Sequence, residues 1–190
     1  MTRKEYLETS LRLGLCSCAF LLTGAGTPVP RPSPVPVQDD ELEKTRGEKK
    51  FIENWLTDLL DTMDKELDLN TRIKMYEGCG KGCFNRYKFK QDIATDGKDN
   101  LDKLLVAYKR NFEVWREDDT IHIRYGKKSS QCYCPAARFK PVKPGDLHCE
   151  CTRMTHQTIF ETAMGRPFKV DVIESLRRGG QTCHFLVHLT

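Results

Sequence analysis

The chain has no large imbalance of charge. Its 31 Lys and Arg against 27 Asp and Glu leave a net +4, spread along the sequence rather than gathered in one basic block. Such a charge gives little basis for nucleic-acid binding. It shows no glycine-rich phosphate loop, no Ser–His–Asp arrangement and no recognisable nucleophile–base pair, so no common catalytic motif applies. The C-x-x-C spacing of ordinary zinc ribbons is missing. The apolar stretch Leu13–Leu22 is shorter than the roughly 20 residues a bilayer-spanning helix needs, so no membrane span is expected.

What is present is 38% apolar and 31% charged residues, a composition of soluble globular proteins, together with nine cysteines. Residues 1–26 run from a basic start through the apolar stretch to small residues, which is the layout of an export signal. Their opening, Thr2-Arg3-Lys4-Glu5-Tyr6-Leu7, resembles a twin-arginine signal with Lys4 in place of the second arginine. A periplasmic or extracellular location is expected, with tethering through the N-terminus (a lipid box ending at Cys18) as one variant. A cytoplasmic location is expected if the segment is instead an attached amphipathic helix. Residues 27–38 hold five prolines and read as an extended linker.

The body, 39–190, is expected to be a single α+β domain: an antiparallel sheet with helices packed on one side. Residues 39–110 are mostly helical and 111–190 are a sheet with one helix. Phe51, Ile52, Trp55, Leu56, Leu59, Leu60, Met63 and Leu67 fall on one stripe of a core-packing helix begun by Asp39 or Asp40. Asn70 or Thr71 opens a second helix, which carries Cys79 and Cys83 on one face. Gly78, Gly80 and Gly82 in it weaken the helix but admit a close neighbour. Leu101, Leu104, Leu105 and Tyr108 mark a third helix. Strands are expected at Phe112–Val114, Thr120–Tyr125 and Gln131–Cys134, and a strand end at Leu147–Cys151. A helix capped by Thr152 and stopped at Gly165 follows.

Phe168–Arg177 and Thr182–Leu189 read as a closing hairpin turning at Gly179-Gly180. That turn pairs Leu176 with Cys183 and Glu174 with Phe185, and it places Glu174 on the apolar face diagonal to Cys183. A carboxylate there needs a partner, either an arginine such as Arg153 or Arg166 or a metal.

The body holds seven cysteines, an odd number, so they cannot all pair within one chain. Cys132-Tyr133-Cys134 and Cys149-Glu150-Cys151 each put two thiols on one face if the segments are extended. With Glu174 and Cys183 they form the expected metal set. Zinc is the first metal for such donors, and an iron–sulfur centre is less expected. Disulfides and free reactive thiols are the alternatives. His148 and His156 are further donors, or ordinary surface histidines.

The segment Gly165–Leu189 resembles the end of the 4-vinyl reductase domain, whose relatives include ligand sensors that bind zinc through cysteines and a glutamate. The resemblance implies metal-ligand roles for Glu174 and Cys183, while Arg177 stands where those sensors carry another cysteine. The stretch Glu77–Cys83, the two C-x-C pairs and the closing Glu174…Cys183-His184-Phe185 are similar to relatives of L-2-amino-thiazoline-4-carboxylic acid hydrolases. Three readings follow. One is an exported domain binding a metal or small molecule. The second is a thiol- or metal-dependent hydrolase, with Cys79 or Cys83 as nucleophile and Glu174 as general base. The third is an exported protein held by disulfides.

Overall fold

The computed structural model describes residues 37–190, so the export and lipid-attachment expectations lie outside the described residues. Helix α1 (Val37–Glu66) runs for 30 residues, roughly 45 Å at 1.5 Å per residue. Its second half buries Leu60 and Met63 against Tyr76 and Cys151, with Leu56 and Leu67 alongside. The first half departs from the expected core helix. Phe51 is 71% exposed and Trp55 58%, and neither joins an apolar cluster of the described residues. Asp68 caps α2 (Leu69–Arg86) by accepting from the Asn70 and Thr71 amides. An extended Tyr87 breaks the chain into a new helix, α3 (Lys88–Asp96). Asn100, accepting from Lys103 N, caps α4 (Leu101–Lys109).

The chain divides into Met1–Asp40 and Glu41–Thr190. In the second unit strands β1 (Glu113–Glu117) and β2 (Thr120–Arg124) form one hairpin. Helix α5 (Cys149–Met164) follows a long loop and ends at Gly165, whose φ of 66° needs glycine. Strands β3 (Lys169–Glu174) and β4 (His184–His188) complete an antiparallel sheet of order β1-β2-β4-β3. Alternation sends Val114, Ile121, Ile123, Val170, Phe185 and Val187 into one cluster with Tyr108 of α4 and Phe160 of α5. The fold is α+β, as the element pattern predicts.

Three local expectations fail. Gln131–Cys134 is loop, not strand, because β1 and β4 already occupy both edges of β2. The segment is instead held by Ser129 N donating to Gln181 O at 2.9 Å and by Tyr133 OH donating to Tyr125 O at 2.8 Å. Leu147–Cys151 is not a strand end. Asp146 accepts from His148 N at 2.7 Å, and α5 begins at Cys149, three residues before the expected cap Thr152.

The closing hairpin is the third. Ser175 accepts from Arg177 N at 3.1 Å and caps a 3₁₀ turn, Leu176–Arg178, so the connection is longer than Gly179-Gly180. Only Gly179 has positive φ, at 92°. The register therefore slips by two residues: Val172, not Glu174, faces Phe185. A slip of two keeps the inner face apolar. A bulge at Ile173 then sets Glu174 opposite His184, turning it off the core face.

Candidate thiol site

The first turn of α5 is the centre of the cysteine arrangement. Two residues along a helix rotate about 200°, so Cys149 and Cys151 point to opposite sides rather than to one face. Cys149 is buried against the β3–β4 connection, with its Sγ 2.9 Å from the Ser175 hydroxyl and Cys183 as its neighbour. Cys151 turns to α2 and meets Cys83. This contact exists because α2 and α5 run very close at Gly80. A side chain there would collide with the Cys151 carbonyl, and Thr155 Oγ1 donates to Gly80 O at 3.0 Å. Gly78 has open space around it and Gly82 meets only the Arg86 side chain, so a single glycine of the three serves the close approach. Cys79, one turn before Cys83, is exposed at the rim.

The loop adds Cys132 and Cys134, both half-buried. Cys134 Sγ lies 3.1 Å from Nε2 of His148, which is buried and edge-on to Tyr76. His148 Nδ1 has no hydrogen-bond partner among the described residues. Beside it a cavity of about 310 Å³ opens between α1, α2 and the loop, with Asp64, Arg72, Tyr76, Lys143 and Arg177 in its wall. Much of the charge in that wall is already paired, Asp64 with Arg72 at 2.9 Å and with Lys143 at 2.6 Å.

Arg177 fixes the loop. Its guanidinium is almost wholly buried and donates to Asp146 at 2.6 Å and to the carbonyls of Ala137, Lys140 and Pro141. It is a clamp, not a ligand. Glu174 is likewise engaged: one oxygen accepts from the amides of Gln181 and Thr182, at 2.5 and 3.2 Å. The inward carboxylate, expected to be satisfied by an arginine or a metal, is thus corrected to a half-buried one satisfied by turn amides. Cys183 remains its electrostatic neighbour.

The thiols do not ionise alike. Contact with Cys183 and then burial push the Cys149 thiol up, and the same contact holds Cys183 below the ordinary thiol range. Burial raises Cys132, Cys134 and Cys151. His148 is held below its usual value by burial. His156 is no surface residue. It sits in the core between the hydroxyls of Tyr108 and Tyr125, at 3.3 and 3.1 Å, and burial lowers it to about 3.

The expected site residues thus meet as contacts in pairs: Cys149 with Cys183, Cys83 with Cys151, and Cys134 with His148. No three or more His, Cys, Asp or Glu side chains among the described residues are placed to share one metal ion. The part of His148 was legible only as a histidine preceding Cys149. Ser175 and Arg177 carried no signal, because a serine and an arginine in a turn are ordinary. No family model, no curated protein and no solved structure matches the chain.

Proposed function

We propose that the chain is an exported, cysteine-rich binding domain whose ligand engages the thiols around the first turn of α5. The observation that carries this reading is the contact of Cys134 with His148, 3.1 Å apart, beside a cavity of about 310 Å³. A volume of that order lies at the small end of ligand sites. Zinc is the metal whose chemistry suits thiol and imidazole donors. In this reading Cys134 and His148 anchor it, and further thiols complete the shell after shifting from their present pairs. A bound metal also keeps neighbouring thiols reduced in an oxidising compartment, where they otherwise pair as disulfides.

A second reading, a thiol hydrolase, is favoured by the same Cys134–His148 contact, since a thiol beside an imidazole is the usual activated nucleophile. Cys134 then replaces Cys79 and Cys83 as nucleophile. Cys79 and Cys83 lie within α2, away from its N-terminus, where a helix would assist a thiolate. Glu174 already has one oxygen engaged by the turn amides.

The test is metal analysis of the purified chain with thiol counting under denaturation. About one zinc per chain, reduced at least tenfold in both Cys134→Ser and His148→Gln, is the expected result. No zinc uptake at saturating metal would overturn the metal reading. Single-site alkylation at Cys134 with saturable ester or amide cleavage would establish the second.

A further inference from the structure

The outer face of the sheet carries a side-chain group that the thiol site does not use. Trp115, His122 and His184 alternate with the core residues Val114, Ile121, Ile123 and Phe185, and so project to the opposite side. Cys183 and His184 are successive residues facing opposite ways, which separates this group from the thiols.

His122 Nδ1 and His184 Nε2 are 3.0 Å apart. Two imidazole nitrogens at that separation either share a proton or direct both lone pairs at one ion. With metal–nitrogen bonds of about 2.0–2.1 Å, the spacing corresponds to a cis angle of roughly 90°. Behind His122, Glu117 Oε2 lies 3.2 Å from Nε2, the nitrogen that does not face His184. A carboxylate in that place fixes the tautomer that leaves Nδ1 free to bind. Trp115 lies flat on His122, with ring centroids 4.7 Å apart and planes within 4°. Arg124 sits over the same indole and pairs with Glu113 at 2.7 Å, so its charge is partly neutralised.

We propose that His122 and His184 chelate one divalent transition-metal ion on the outer face of the sheet, with Glu117 as the positioning residue behind His122. Two protein donors leave coordination positions open, for water or for a small anionic ligand. The site is independent of the proposed thiol function and stands or falls separately.

The full chain is titrated with Zn²⁺ while the imidazole C–H resonances of all histidines and the Cβ resonances of the cysteines are followed by NMR. The His122 and His184 signals are expected to shift together along one saturation curve. His122→Gln is expected to abolish the His184 shift, and His184→Gln the His122 shift, with cysteine responses as in the unaltered chain. Glu117→Gln is expected to weaken the site by about tenfold or more while leaving both imidazoles in the shell. If one glutamine variant does not fold, the other gives the same reading. Imidazole signals unmoved at saturating Zn²⁺ mean that the two rings share only a proton, a His184 shift that persists in His122→Gln means that His184 binds the ion without its neighbour, and either result overturns the proposal.

Discussion

The two ends of α5 are built on different principles. Its C-terminal half buries Ile159, Phe160 and Ala163 in the apolar cluster under the sheet, where shape and area do the stabilising. Its N-terminal turn carries Cys149 and Cys151 under an irregular loop, where buried hydrogen bonds and the ion pairs of Asp146 with Arg177 and of Glu150 with Arg153 and Arg178 do it. A core of the first kind tolerates small changes of shape. A polar core of the second kind depends on every partner being present.

The sharpest test of that difference is a pair of large deletions. Phe160→Ala removes a fully buried ring and is expected to cost about 3–5 kcal/mol of global stability. Arg177→Ala is expected to cost a similar 3–5 kcal/mol, because it strands Asp146 and three carbonyls. The two separate in amide exchange. The Arg177 variant is expected to open residues 137–148 while the C-terminal half of α5 stays protected, and the Phe160 variant to lower protection throughout. Arg177→Lys is expected not to rescue, since an ammonium cannot fork to four acceptors. Uniform loss of protection in both variants would dissolve the distinction.

A slightly smaller effect is expected from pH. His156 has a folded value near 3 against 6.5 unperturbed, so between these limits the unfolded chain binds a proton that the folded chain refuses. Stability is therefore complete above about pH 6.5 and falls as pH drops toward 3, by roughly 1.4 kcal/mol for each unit. His148, also held low by burial, acts in the same direction. Urea denaturation at pH 7 and pH 4.5 reads the slope. His156→Gln is expected to be less stable at pH 7 but to show a shallower loss on acidification. An unchanged slope would place the titration elsewhere.

The same contrast explains what the sequence disclosed. The sheet end was legible because burial there follows periodicity: Ile121 and Ile123, or Phe185 and Val187, alternate as strand residues must. Even a register misread by two residues left that face intact. The thiol end was legible as composition only. Cys149 and Cys151 looked like a same-face pair, because nothing local announced that Asp146 would start the helix early. Glu174 was misplaced because the bulge at Ile173 and the 3₁₀ turn after Ser175 have no strong sequence signal. The His122–His184 contact needed the strand order, since β2 and β4 are neighbours in space but far apart in sequence.

The smallest expected effect lies where the thiol end of α5 meets α2, and there it changes sign within three residues. Gly80→Ala sets a methyl group against the Cys151 carbonyl and Met154 Cβ, and both are fixed by α5 itself. Relief requires the helices to part, which is expected to cost about 1–3 kcal/mol and to loosen the Cys83–Cys151 contact. Gly78→Ala meets nothing and is expected to gain up to about 1 kcal/mol, from helix propensity alone. Thermal melting of the two variants measures both. Thiol-exchange rates at Cys83 and Cys151 add what melting does not show. They are expected to rise in Gly80→Ala and to hold in Gly78→Ala, because the close approach of two backbones, not the helix itself, keeps those sulfurs together. Equal exchange rates in the two variants would mean that the thiol end of α5 packs on α2 no more tightly than its first turn alone requires.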